Sequence, residues 1–287
     1  MLLRTAIRII LHEKEKYFGA VAGVGIAVFL IILQAGFYLG FRRDTTVVLD
    51  SVPADLWVIP KNQPLFDGWV AIDDLAYWKA LQHPDVETAT RLVWGYAPWR
   101  LPASGGYDTI EVLGVDFESG IDLKFRTPAD DLGTLLRPDG HVLVSRKDRA
   151  KLGLDGRLAA RGEIRGREAL PVGFVEDVRL FTTAGFLMTD LDNGRAFLGL
   201  PATHVTYIAC RCRPGSDPAA VARTLQQAIP DHEVLTARAF HDRAADYWST
   251  RTSIGPLLVL CSVMSVVVGF LIVMLAFYVS TVEKIPV

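Results

Sequence analysis

A run of 25 residues at positions 17–41 carries no charged side chain, and Gln34 is its one strongly polar residue. A helix rises about 1.5 Å per residue, so a run of this length exceeds the roughly 30 Å hydrocarbon core of a bilayer. A helix also satisfies its own backbone hydrogen bonds where water is absent. We therefore predict a transmembrane helix at 17–41. Its length, and the following Arg42 and Arg43, argue against a cleaved signal peptide.

A second uncharged run occupies residues 254–280. Together the two runs explain how a chain with 22% charged residues reaches 51% hydrophobic residues. Two crossings place both ends of the chain on one side of the membrane and residues 42–253 on the other. Basic residues are more numerous before the first run than after it, which favours a cytoplasmic N-terminus. The net charge of −2 gives no indication of a nucleic-acid partner.

The segment 1–16 places Leu3, Ile7 and Ile10 on one helical stripe, with basic residues between them. This pattern predicts a cytoplasmic amphipathic helix that lies on the bilayer surface. The alternative is a basic flank that simply continues the membrane helix.

Four glycines in the first run are spaced so that another helix can approach closely. They form two steps of four residues, Gly19 with Gly23 and Gly36 with Gly40. We predict that these glycines take part in helix packing.

Residues 42–253 alternate strand and helix patterns, which predicts an α+β domain. The predicted strands are 55–60, 86–101, 109–115, 141–144, 186–189, 205–212 and 233–235, and the predicted helices are 73–82, 146–152, 190–198, 217–229 and 237–252. Helix 73–82 carries Leu75, Trp78 and Leu81 at every third position. The glycine-rich section 157–178 predicts short antiparallel strands that could form a smaller lobe. The last helix is expected to lead straight into the second membrane run.

Catalytic and metal-binding motifs are absent from the sequence. It contains no phosphate-binding loop, no zinc-ligand spacing and no nucleophile elbow. The group Asp190, Asp192, Asn193 and Gly194 lacks the alternating ligands of a calcium loop, so helix capping and a turn explain it better. We expect no enzyme activity, no cofactor and no metal site. Cys210 and Cys212 could form a bridge, but we interpret them as small buried side chains.

The order of these elements, with the segments ADLWVIP at 54–60 and STVEK at 280–284, resembles the permease subunits of MacB-, FtsX- and DevC-type ABC transporters. DevC-like permeases, which have no fused ATPase, are the most similar. The resemblance implies a MacB-type periplasmic core between two transmembrane helices in the bacterial inner membrane. It also implies a homodimer, a separate ABC ATPase subunit and a periplasmic adaptor protein.

The resemblance also implies a function, mechanotransmission or export, in which the membrane helices couple the ATPase to the outer domain. Relatives continue beyond position 287 into a cytoplasmic coupling loop and two more crossings, so residues 281–287 are expected to be the start of a truncated loop. Glu283 and Lys284 would lie on its ATPase side, or would be ordinary interfacial charges. The alternative function is a two-crossing membrane sensor with an extracytoplasmic ligand-binding domain.

Overall fold

The structure is a computed structural model that describes residues 14–44, 46–63, 66, 70–154, 161–176, 178, 184–247 and 254–282. Its contacts divide into two units, one with the two long apolar helices and the other formed by Asp44–Tyr247. The predicted amphipathic segment 1–16 lies almost wholly outside the described residues. The same holds for Glu283 and Lys284, and for residues 248–253 between the domain and the second apolar helix.

The described helices are α1 (Lys14–Asp44), α2 (Val47–Ser51), α3 (Leu75–Leu81), α4 (Leu132–Leu136), α5 (Leu191–Leu198), α6 (Pro218–Ala228), α7 (Ala237–Asp246) and α8 (Ile254–Val282). The strands are β1 (Leu56–Pro60), β2 (Ile72–Asp73), β3 (Val86–Arg100), β4 (Tyr107–Val115), β5 (His141–Ser145), β6 (Gly162–Ile164), β7 (Arg167–Val175), β8 (Gly185–Asp190), β9 (His204–Val205), β10 (Tyr207–Cys212) and β11 (His232–Thr236).

Local sequence signals set several helix starts. Asp217 accepts a hydrogen bond from the Ala219 N–H, and Pro218 occupies the first position of α6, where a missing N–H costs nothing. Thr236 caps α7 by accepting from the Ala239 N–H at 3.2 Å. Asp190 caps α5 in the same way. These three starts agree with the sequence-based predictions.

Nine of the described strands form one mixed sheet in the order β11-β1-β10-β3-β4-β8-β5-β7-β6. The pairs β4–β8 and β5–β7 are parallel and the other neighbours are antiparallel. Strand β6 also pairs with β3, through Trp99 opposite Ile164. The six strands β3, β4, β8, β5, β7 and β6 therefore close into a ring. Side chains from all six strands meet in one buried cluster that includes Trp99, Val112, Val144 and Leu187. The ring is therefore a small barrel with a packed interior.

The section 157–178 does not form a separate lobe. Its strands β6 and β7 join the same sheet, and the contacts hold Asp44–Tyr247 together as one unit. The predicted helix 146–152 is also shorter, because only Arg146–Asp148 forms a 3-10 turn.

The open part of the sheet is covered on both faces. Along β1, Leu56 and Val58 point to the face that α3 and α6 cover, while Trp57 and Ile59 point to the opposite face with Phe240 of α7. This alternation follows from the two-residue period of a strand. A strand buried on both faces carries a continuous apolar run, which is why the segment LWVI is recognisable in the sequence.

The free edge of the sheet at β11 is protected by one side chain. The Gln226 amide accepts a hydrogen bond from Val234 N–H at 2.8 Å and donates one to the His232 carbonyl at 2.8 Å. It therefore replaces part of a neighbouring strand, and an edge that is blocked in this way is a poor template for pairing with another chain.

Candidate functional site

The two apolar helices pack along one seam. Among the side chains of α1 described between residues 21 and 40, the buried or half-buried ones are spaced by about one or two turns: Ala22, Gly23, Leu30, Gln34 and Tyr38. On α8, the buried or half-buried side chains between residues 262 and 273 are Ser262, Ser265, Gly269, Ile272 and Val273. Most of the other described side chains of both helices are exposed. Both helices are long and apolar enough to cross a membrane.

Gly23 is a point of close approach between α1 and α8. A Cβ atom added at this position would overlap Cγ2 of Ile272. Gly36 and Gly40 behave differently, because among the described residues no atom outside their own stretch of helix backbone lies within 4 Å of where their Cβ atoms would be. At about 100° per residue they are turned well away from Gly23. The two predicted glycine steps therefore lie on different sides of α1, and the surroundings of Gly19 fall outside the described side chains.

A hydrogen bond between side chains also connects α1 to α8. Gln34 Nε2 donates to Ser265 Oγ at 3.1 Å, and this hydroxyl donates in turn to the Cys261 carbonyl at 2.9 Å. Hydrogen bonds between membrane helices contribute about 0.6–2 kcal/mol. The sequence showed Gln34 to be the most polar residue of its run but did not reveal its partner, because the two residues are far apart in the chain.

A partly buried ion-pair network joins three elements of the domain. Arg195 of α5 has only 7% of its side chain exposed, and its Nη2 donates to both carboxylate oxygens of Asp74 at 3.1 and 3.0 Å. Arg91 of β3 donates to Asp74 at 3.4 Å and to Asp116 at 2.8 Å. The network therefore fixes the start of α3 against β3 and α5. Sequence reasoning did not identify these residues, which lie in separate segments.

A polar cleft of about 850 Å³ opens beside this network. Its lining combines arginines with carboxylates: Arg91, Arg137, Arg167, Arg195, Asp116, Glu118, Asp139, Glu168, Asp190 and Asp192. Several of these charges pair with one another, as Arg137 does with Glu118 at 2.8 Å. Burial raises the pKa of Asp190 above its ordinary value. Because both signs of charge are present and partly paired, the cleft has no strong preference for a cation or an anion.

The segment that resembles a calcium loop has a structural role. The Asn193 side chain donates to the carbonyls of Leu136 and Pro138 and accepts from the Gly140 N–H. With Asp190 as the cap of α5, capping and a turn explain the segment, as predicted. Among the described residues, no three His, Cys, Asp or Glu side chains come together as metal ligands.

The fold of the domain resembles that of a known periplasmic domain. The periplasmic region of MacB from Actinobacillus actinomycetemcomitans superimposes with a TM-score of 0.50 and 8% identity, over 68% of this chain and 94% of that one. The domain has a MacB-type fold. The extracellular domain of the noncanonic ABC-type transporter YknZ from Gram-positive bacteria superimposes with a TM-score of 0.45 and 11% sequence identity, over 63% of this chain and 98% of that one. A domain of a putative permease protein from Porphyromonas gingivalis superimposes with a TM-score of 0.42 and 17% sequence identity, over 66% of this chain and 90% of that one.

Comparisons with family models and with curated sequences find no relative. The predicted fold class, a MacB-type α+β domain with an apolar helix on each side in the sequence, is nevertheless confirmed by the structure.

Proposed function

We propose that the chain is a permease subunit of an ABC-type complex that exports a substrate or transmits mechanical work across the bacterial inner membrane. The observation that carries this proposal is the MacB-type fold of a domain that is flanked in the sequence by two helices able to span a bilayer. The resemblance of the segments ADLWVIP and STVEK to MacB-, FtsX- and DevC-type permeases supports the same assignment.

In this proposal the two membrane helices act as one transmitting element. The contact of Gly23 with Ile272 and the hydrogen bond from Gln34 to Ser265 lie eleven residues apart on α1. Two separated contacts resist sliding and rotation better than one, so α1 and α8 move together. Movement imposed on them from the cytoplasmic side is then passed on to the outer domain.

The remaining parts of the complex belong to the proposal as well. The N-terminus lies in the cytoplasm and the domain in the periplasm, the compartment named for the MacB region. A separate ATPase subunit supplies the energy, with Glu283 and Lys284 on the side that it contacts. The chain works as a homodimer, and its domain meets a periplasmic adaptor protein.

Purification from native membranes tests this function. The full chain, tagged and extracted in a mild detergent, is expected to bring with it an ATPase that contains a phosphate-binding loop. Substitution of the lysine in that loop is expected to abolish ATP hydrolysis by the purified complex. A kinase or cyclase in place of the ATPase would instead support a membrane sensor.

A further inference from the structure

The outer face of α3 exposes large apolar side chains. Among the described residues of the domain, five large apolar side chains are exposed, and four of them lie between positions 70 and 81. Leu75 is 57% exposed, Trp78 51% and Leu81 38%, whereas Ala76, Tyr77 and Ala80 of the same helix are buried against the sheet. A cluster of exposed apolar residues on a water-soluble domain usually marks an interaction surface.

The exposed residues are arranged symmetrically about Trp78. Leu75 precedes it by three residues and Leu81 follows it by three. If a second copy of α3 packs antiparallel on this face, a two-fold axis at Trp78 places each Leu75 against the Leu81 of the other copy and the two Trp78 rings against each other. A two-fold contact needs such a self-complementary surface, in which the same residues serve both partners.

The charges on this segment favour the same arrangement. Exposed and acidic Asp73 lies just before α3, and Lys79 lies in its last turn. Antiparallel packing brings the acidic end of one copy towards the basic end of the other. A parallel pair would place the acidic ends side by side, and like charges at close range are unfavourable.

We propose that the α3 face, formed by Leu75, Trp78 and Leu81, is a contact surface between two copies of this chain. Three side chains from each copy bury less than the roughly 1,000 Å² that a stable interface requires. The contact therefore forms only where the copies are held at high effective concentration, as in a shared membrane. This condition rests on the proposed membrane placement and homodimer, and the inference adds where the two outer domains meet.

Paired cysteines test the contact and its direction. In the full chain with Cys261→Ser, the double variant Leu75→Cys and Leu81→Cys is expected to form disulfide-linked dimers in membranes under mild oxidation. Each single variant is expected to give at least tenfold less dimer, because each leucine faces the other leucine position across the axis. A control cysteine at exposed Gln227 on α6 is expected to give equally little.

A further substitution shows whether the apolar face causes the contact. Trp78→Glu in the double-cysteine background is expected to lower the dimer at least tenfold. Absence of dimer in the parent double variant, equal dimer from Gln227→Cys, or linkage to a different protein would each overturn the proposal. The disulfide-linked dimer is measured in both the membrane fraction and the soluble fraction. The fraction that contains the chain tests the membrane placement, and the amount of dimer tests the α3 contact.

Discussion

Arg195 contacts both carboxylate oxygens of Asp74 through a single nitrogen, at 3.1 and 3.0 Å. Asp74 directly precedes α3, and Arg195 lies within α5, so this ion pair links two helices whose neighbouring strands β2 and β9 also pair. Arg91 reaches the same carboxylate from β3. Asp74 therefore helps to hold α3, and the apolar face that it exposes, in place.

Removal of the charge on Asp74 should destabilise the domain. Asp74→Asn keeps the shape of the side chain but leaves the buried Arg195 without its main counter-ion, and loss of one partner from a buried pair costs about 3 kcal/mol or more. The midpoint of thermal unfolding of the full chain in detergent is expected to fall by roughly 6–12 °C.

An exposed ion pair provides the matched control for this substitution. Arg100 pairs with Glu163 at 2.9 Å, and both side chains are substantially exposed. Exposed pairs contribute little to stability because solvent screens their charges, so Arg100→Gln should leave the midpoint almost unchanged. Equal shifts for the two variants would show that the Asp74 network has no special role.

Gly23→Leu should disturb the packing of α1 on α8, because its side chain would overlap Ile272. Overpacking typically costs about 1–3 kcal/mol. The midpoint of unfolding in sodium dodecyl sulfate is expected to fall, while the amount of protein in carbonate-washed membranes stays the same. Gly36→Leu is the control, since its side chain would enter open space. A larger fall in the midpoint for Gly36→Leu than for Gly23→Leu would contradict the packing of α1 on α8 through Gly23.

The two thiols of β10 should be unreactive at neutral pH. Burial raises the pKa of Cys210 to about 12 and that of Cys212 to about 11. In a Cys261→Ser background, a thiol reagent at pH 8 is expected to label neither residue until the protein is unfolded. Rapid labelling of the folded chain would show that the strand is open to solvent.

The same thiols should make stability depend on alkaline pH. An unfolded thiol loses its proton near pH 9, whereas the folded ones keep theirs to about pH 11–12. The folded state therefore binds more protons in this window, and its stability must fall as the pH rises from 9 towards 12. The variant with Cys210→Ala and Cys212→Ala should show a shallower decline.

Local signals in the sequence predicted individual elements well. The pair Asp217-Pro218 and the cap Thr236 predicted α6 and α7 because a helix start depends on a few adjacent residues. The period-three stripe of α3 was less informative. It located the helix, but Ala76, Tyr77 and Ala80 pack against the sheet, whereas Leu75, Trp78 and Leu81 point outward.

Contacts between distant segments could not be predicted from a single sequence. The closure of the barrel between β3 and β6, the ion pair of Asp74 with Arg195 and the hydrogen bond of Gln34 with Ser265 each depend on how remote segments meet in three dimensions. No periodicity or motif encodes such pairings.

The proposed function requires the domain to lie on the periplasmic side of the membrane, and cysteine labelling tests this placement directly. Single cysteines at Ala103 and Gln227, both exposed in the structure, can be introduced into the Cys261→Ser chain. An impermeant thiol reagent applied to cells with a permeabilised outer membrane is expected to label both positions. Protection of both in intact cells, with labelling only after lysis, would place the domain in the cytoplasm and contradict the account.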